Sequence, residues 1–243
     1  MRPLVDVQVE RDGPLGVVVP TTTVEFTRLG LPVPDFLWLC QEASGSLAPA
    51  IGNAGVTLAP VASPLYQQTV TGWARKFVGT LGGTASQRFE TTSALLDLAA
   101  GESYAFVVYV AAQNSAGQRI MGVQGQNNAN RFADGNTSSY RTAHNAIGTE
   151  TATGNYNNLA VVHPLIWYRN GTTNQSGMVT DLDQVIATHD ESAATGLIRS
   201  LGAASDGNFV AHTRFSWAAA YKGTNAERDW KSYLQTLGWS LSY

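Results

Sequence analysis

Phe209-Val210-Ala211-His212-Thr213-Arg214-Phe215-Ser216-Trp217-Ala218-Ala219-Ala220-Tyr221, followed by Lys222-Gly223 and the segment 224–237, decides the class of fold. The first stretch alternates apolar and polar residues as a strand does. The period then changes: Trp230, Tyr233, Leu234 and Leu237 recur at i, i+3, i+4 and i+7, the single apolar stripe of a short helix. Thr224 and Glu227 have the spacing of a capping box, and Gly238 stands where a left-handed residue ends a helix. This reads as the closing strand of a sandwich with one helix covering its edge, and no other segment is expected to be helical.

Working outward, short β-branched or alternating runs recur between turn clusters, the signature of an all-β chain. Residues 4–9, 22–26, 36–41, 76–78 and 87–91 read as strands, with Gly13-Pro14 as punctuation and a short strand near 56–58 inside a long connection at 45–63. Residues 104–112 are apolar on both alternations, which predicts a strand covered on both faces. Its expected partner is 119–124, across Asn114-Ser115-Ala116-Gly117. A second central strand is expected at 159–169, turning through Asn170-Gly171 in a type I′ hairpin to a return near 177–180. Residues 197–202 and 209–221 are expected to pair across Ser205-Asp206-Gly207-Asn208. No repeat of 20–50 residues is visible, which removes propellers and solenoids.

Composition narrows the function classes. In 243 residues only 14% are charged, Gly numbers 24, and the net charge is −3, so polarity here is mostly that of neutral hydrogen-bonding groups. Three lysines (Lys76, Lys222, Lys231) and no basic stripe exclude nucleic acid as a partner. The lone Cys40 lies in the apolar run Phe36-Leu37-Trp38-Leu39-Cys40 and reads as a small buried hydrophobe. The alternating start, Met1 to Asp12, lacks the apolar core of a secretory signal, and no run approaches the ~18 apolar residues of a membrane span. A soluble protein is expected, not a membrane one, with a virion or extracellular particle as the setting if it works outside a cell.

From residue 35 onward the order of features resembles the concanavalin A-like lectin/glucanase superfamily, and within it the laminin-G-like jelly-roll modules. The resemblance rests on Trp38 between an apolar strand and the Ser44-Gly45 turn, the strand 104–112, and the hairpin Trp167-Tyr168-Arg169-Asn170-Gly171. A final strand at 214–221 and a helix at 224–237 complete it. It implies an all-β, two-sheet antiparallel jelly-roll sandwich over residues 31–243, with one short C-terminal helix and variable rim loops. Residues 1–30 lie outside the pattern and are expected to form an extension or docking strand, through which a homo-oligomer or a particle would assemble.

Glucanases of this superfamily carry an E-x-D-x-E strand, which sets two carboxylates on one face for retaining hydrolysis. Here Asp181-Leu182-Asp183 comes nearest in spacing, Asp190-Glu191 would point to opposite faces, and Asp229 belongs to the helix. The four histidines, 144, 163, 189 and 212, are not spaced as metal pairs, no G-x-S-x-G elbow occurs, and Gly79-Thr80-Leu81-Gly82-Gly83-Thr84 lacks the end of a phosphate loop. An enzyme is therefore not expected, nor a cofactor. A calcium ion, which related modules hold, would have Asp134, Asp181, Asp183 and Asp206 as its candidate oxygens.

Sugar binding calls for aromatic platforms with amide or guanidinium groups beside them, and the stretch 124–158 supplies both. The candidates are Asn127, Asn128, Asn130, Arg131, Tyr140, Arg141, His144, Asn155, Tyr156 and Asn157. The expected function is a non-catalytic binding or structural module that recognises a glycan or a protein surface through these loops on a larger assembly. The alternatives are a decoration protein of a phage capsid, tail or injection apparatus, and a glycoside hydrolase.

Overall fold

Strand 104–112 does carry apolar side chains to both faces, and the architecture follows from that. The computed structural model describes residues 16–243 except 72, 74, 82–85, 92–95, 99–100, 114–117, 124–130, 137–138, 145–147, 154–157, 189–195, 204–209 and 211. For the strands within 92–100, 113–119, 121–157 and 187–199 only the backbone is described.

The strands are β1 Phe36–Trp38, β2 Pro49–Ile51, β3 Ala59–Val61, β4 Leu65–Gln68, β5 Phe77–Thr80, β6 Arg88–Glu90, β7 Leu96–Leu98, β8 Tyr104–Gln113 and β9 Gln118–Val123. They continue as β10 Arg131–Asn136, β11 Ser139–His144, β12 Gly148–Thr153, β13 Asn158–Asn170, β14 Gln175–Thr180, β15 Gln184–Thr188, β16 Gly196–Leu201 and β17 His212–Lys222. Among the described residues there are two α-helices, α1 Thr23–Arg28 and α2 Trp230–Thr236.

The strands form two antiparallel sheets, the sandwich that the sequence predicts. The first runs β15-β14-β13-β8-β17-β1-β2, with β5 also on β17 and β4 beyond it. The second runs β12-β11-β10-β9-β16-β6-β3, with β7 also on β16. Two expected pairings are corrected. Strand β8 pairs with β13 and β17, while β9 lies in the other sheet. Likewise β16 and β17 belong to different sheets, so neither connection is a hairpin.

On β8, Tyr104, Phe106, Val108 and Val110 face the second sheet and meet Phe89, Ile120 and Leu201 in the space between the layers. The intervening Ala105, Val107, Tyr109 and Ala111 face away, into a second apolar cluster with Phe26, Trp230, Tyr233, Leu234, Leu237 and Trp239. Strand β17 changes phase part-way: the register shifts between Phe215 and Trp217, so Phe215 enters the inter-sheet core and Trp217 the outer cluster. Ala218, Ala219 and Ala220 then lie opposite Trp38, Leu37 and Phe36 on one side and Val108, Val107 and Phe106 on the other. Small side chains there leave room for large ones from both neighbouring strands.

The outer face is sealed by both helices. All four residues of the predicted stripe, Trp230, Tyr233, Leu234 and Leu237, are buried. Their helix starts later than the sequence suggests. Residues 223–226 form a 3₁₀ turn, and Asp229 is the N-cap, its Oδ1 accepting from Lys231 N at 3.0 Å and its Oδ2 from Ser232 Oγ at 2.6 Å. Gly238 takes φ +87°, the left-handed ending expected.

Segment 22–26, predicted as a strand from its β-branched residues, is instead α1. Here the capping box is real: Glu25 N donates to Thr22 Oγ1 at 3.3 Å and Thr22 N to Glu25 Oε2 at 3.0 Å. Burial acts to raise the Glu25 pKa, but the bonds from Thr21 and Thr22 outweigh it and hold the carboxyl below its usual range. Phe26, fully buried, pins the helix to the sheet, a tertiary gain that overrides the strand propensity of Thr and Val. Ahead of it, Trp217 Nε1 donates to Pro20 O at 3.0 Å and Val18 N to Leu237 O at 2.7 Å, so residues 16–30 lie on this chain's own sheet. Residues 1–15, with the strand predicted at 4–9, fall outside the described residues.

Burial raises the pKa of the Tyr109, Tyr221 and Tyr233 phenols well above 10.0, because the phenolate is disfavoured there. A folded pKa above the unfolded one means stability complete below pH ~10 and lost as pH climbs beyond it. Alkaline titration followed at the phenolate absorption band and by near-ultraviolet circular dichroism is expected to show these phenols ionising together with unfolding. The hydroxyls of Tyr221 and Tyr233 lie 2.8 Å apart in the outer cluster. Either single change to Phe strands a buried hydroxyl and is expected to cost about 1–3 kcal/mol in denaturant melts, with the double Phe variant recovering most of the loss.

Candidate functional site

Where the outer layer meets the edge of the first sheet, a cavity of about 330 Å³ opens. Strand β13 ends in its wall with Tyr168 and Asn170, β14 begins there with Gln175, and β15 supplies Gln184 and Ile186. The segment entering α2 supplies Glu227, Arg228, Asp229 and Trp230. Two amides from neighbouring strands and a third at the hairpin thus face a run of three charged residues.

The loop between β13 and β14 sets the cavity's shape. It is a four-residue connection and not the type I′ turn predicted, since Asn170 lies opposite Gln175 and the left-handed residue is Asn174 at φ +54°. Asn170 Oδ1 accepts from the backbone of Thr172 at 3.0 Å and Thr173 at 3.1 Å, which directs its NH₂ group elsewhere. Gly171 serves close approach: a Cβ there would lie 1.9 Å from Gly101 O. Its N–H donates to Ser103 Oγ at 2.8 Å, and Ser103 Oγ donates in turn to Glu227 Oε1 at 2.5 Å, which also accepts from Thr172 Oγ1 at 3.0 Å. One carboxylate oxygen therefore ties the hairpin to the base of the α2 segment.

Arg228 is half-buried, and burial lowers its pKa against the opposing effect of Tyr221 and Tyr233. Its Nε donates to Asn225 O at 2.7 Å and its guanidinium lies 5.6 Å from the centre of the Trp230 ring. Trp230 and Tyr168 are buried behind the wall, whereas Ile186, 49% exposed, offers the open apolar contact.

Beside the cavity, the turn after β14 holds the two aspartates nearest in spacing to a catalytic pair. They do not face each other across a groove. Asp181 Oδ2 lies 2.8 Å from His163 Nδ1, and Asp183 Oδ1 accepts from Gln184 N at 2.8 Å. Tyr243 Oη donates to Thr180 O at 3.1 Å, and Lys231 Nζ lies 4.5 Å from the centre of that ring. Burial first, then the charges of Asp183, Asp181 and Asp229, push the Tyr243 phenol up to about 12. Among the described residues no three His, Cys, Asp or Glu side chains gather as a metal ion needs. Cys40 is buried at φ +53°, and burial, with the Glu42 charge beside it, raises its thiol pKa, which makes it an inert packing residue.

None of the ten residues predicted for sugar contact lines this cavity. Asn127, Asn128, Asn130, Asn155, Tyr156 and Asn157 lie outside the described residues, as does Asp206. Arg131, Tyr140, Arg141 and His144 lie on the β10–β11 hairpin, with Arg141 in register with Asp134 and Thr151, and Tyr140 with Gly135 and Ala152. Strand β12, next in that sheet, leans on β14 and β15. The sequence signal that could have found the cavity is Glu227-Arg228-Asp229, three successive charges in a chain that is 14% charged, a run that also occurs at Glu10-Arg11-Asp12.

No protein-family model matches the sequence, and no curated protein matches it. Solved structures do match in fold. A sialidase of Trypanosoma rangeli in complex with sialic acid superposes with a TM-score of 0.59 at 12% identity, over 86% of this chain and 33% of the sialidase. The same sialidase as a covalent intermediate with 2,3-difluorosialic acid gives 0.60 at 10% identity, with the same coverage. The binding domain of botulinum neurotoxin DC in complex with SialylT gives 0.53 at 7% identity, over 84% of this chain and 51% of that one. This chain spans about a third of the sialidases' length. What this chain shares with them is the fold.

The expected function is corrected by these likenesses. The expectation was a non-catalytic binding or structural module on a larger assembly, yet the solved structures that share the fold include sialidases with bound sialic acid, at 10–12% identity and over about a third of their length. One fold here serves an enzyme and a toxin's binding domain, so architecture does not separate catalysis from binding. No helix among the described residues is long and apolar enough to cross a membrane.

Gly171→Ala drives a methyl group into the Gly101 carbonyl, so the hairpin has to move off its Ser103–Glu227 anchor. Thermal and urea melts are expected to show a loss of at least about 1–3 kcal/mol, the range for breaking a buried hydrogen-bonded network.

Proposed function

We propose that the chain interacts with carbohydrate and that the cavity between β13–β15 and the start of α2 receives a sugar unit. The observation that carries this reading is the chemistry of the cavity wall: amides from Asn170, Gln175 and Gln184, carboxylates from Glu227 and Asp229, and the exposed aliphatic face of Ile186. Saccharides present both donors and acceptors on every hydroxyl around a ring with an apolar face, and a wall of mixed neutral and charged polarity meets those needs. A volume of about 330 Å³ lies at the small end of ligand sites, which run from roughly 300 to 1,000 Å³, and suits one or two ring units.

The ligands bound in the fold neighbours, sialic acid in the sialidase and SialylT in the toxin binding domain, support the same class of partner. Within this proposal the β10–β11 hairpin, with Arg131, Tyr140, Arg141 and His144, forms a second contact for a longer glycan. Its neighbour β12 lies against the strands that wall the cavity.

Saturation-transfer NMR of the full chain against a panel of mono- and oligosaccharides tests the reading. Transfer to at least one sugar is expected, reduced about tenfold in apparent affinity by Asn170→Ala or Gln184→Ala, each of which deletes hydrogen bonds worth about 1.5 kcal/mol. Transfer from no saccharide in the panel overturns carbohydrate interaction. Binding unchanged in both variants moves the contact away from the cavity.

A further inference from the structure

Building on the carbohydrate reading, we infer that the cavity selects an uncharged sugar unit and disfavours one bearing a carboxylate. The fold neighbours' ligands point the other way, so the choice has to come from the wall itself. Glu227 and Asp229 flank Arg228 in sequence and in the cavity lining, two carboxylates to one guanidinium. That guanidinium gives its Nε–H to Asn225 O at 2.7 Å and lies over the Trp230 ring, which holds it against the outer layer. Asp183, whose Oδ1 accepts from the N–H of the lining residue Gln184 at 2.8 Å, sets a third carboxylate beside the same rim. Opposing them is Lys231, stacked on Tyr243.

The hydrogen-bond inventory favours the same ligand. Glu227, a residue of the lining, accepts two bonds at Oε1 from Ser103 and Thr172, and a carboxylate has lone-pair sites on both oxygens, so Oε2 keeps its acceptor capacity. Sugar hydroxyls donate to such an oxygen, whereas a second carboxylate only repels it. Asn170, whose Oδ1 is occupied by Thr172 and Thr173, presents NH₂, a donor for a hydroxyl or ring oxygen. Among the described lining residues carboxylates thus outnumber cations two to one, and the wall has both acceptors and donors for alcohols.

The test is a matched-pair titration of the full chain by glycan array and then by calorimetry. Neutral oligosaccharides are paired with the same cores extended by sialic acid or oxidised to the uronic acid, at low and at high sodium chloride. The neutral member of each pair is expected to bind at least about tenfold more tightly at low salt, the ratio shrinking as salt screens the carboxylates. The variant Glu227→Gln/Asp229→Asn keeps an acceptor for Ser103 and Thr172 and a competent N-cap residue, which a thermal melt verifies. It is expected to bring the ratio close to one. Acidic members binding as tightly as neutral ones, or a ratio unmoved in the double variant, overturns the selectivity and leaves carbohydrate interaction standing. Silence of every glycan, neutral and acidic, overturns the underlying reading and the selectivity with it.

Discussion

The two central strands, β8 and β17, are hydrogen-bonded along their length and apolar on both sides, and everything else in the molecule answers that constraint. A half-buried strand asks for one cover; these ask for two. The second sheet supplies the first, through Phe89, Ile120 and Leu201. Neither helix is long enough to supply the other alone, so α1, α2, residues 16–20, Trp73 and Trp239 share the outer face. Burial of each large apolar side chain contributes about 1.5–3 kcal/mol, so this outer layer is as much a core as the space between the sheets.

The shift at Ser216 makes the two cores compatible. Without it Phe215 and Trp217 would project to the same side, because residues two apart in a strand share a face. With it, Trp217 stacks on Tyr109 at 4.8 Å in the outer layer while Phe215 stays between the sheets. The indole N–H then reaches Pro20 O, which fixes the segment leading into α1. One extra residue in a strand therefore determines where the N-terminal third of the outer layer sits.

Much of this was legible in the residues, and the limits have physical causes. Strands 104–112, 159–169 and 209–221 declare themselves by two-residue alternation, and the α2 stripe by its 3.6-residue period, since both are local consequences of which side chains must be covered. Pairing was not legible, because β8 to β9 and β16 to β17 are crossovers between layers and short turn-rich connections look alike whether the chain stays in its sheet or leaves it. Helix α1 was hidden because Thr-Thr-Thr-Val favours a strand and only the burial of Phe26 reverses that preference. Thr22/Glu25 and Thr224/Glu227 both have the spacing of a capping box, and of these two only the first forms. The second Glu is recruited by Ser103, more than a hundred positions away. The candidate site eluded the sequence for the same reason: its wall gathers 168–186 and 227–230, while the Asn-rich composition drew attention to 124–158.

That recruitment also explains why the cavity is suited to recognition. Glu227 is held by Ser103, Ser103 by Gly171, and Gly171 by a backbone approach that tolerates no side chain, so the carboxylate and the hairpin amide are positioned before any ligand arrives. Groups ordered in advance lose little conformational freedom on binding, which lets a few hydrogen bonds count toward affinity. The opposite wall is different in kind. It comes from β15, the edge strand, whose Ile186 and Gln184 have a partner strand on one side only. A fixed wall tied to the core and a variable wall at a sheet edge together allow side-chain changes at 184–186 to retune the ligand without disturbing the double-faced strands on which the fold rests.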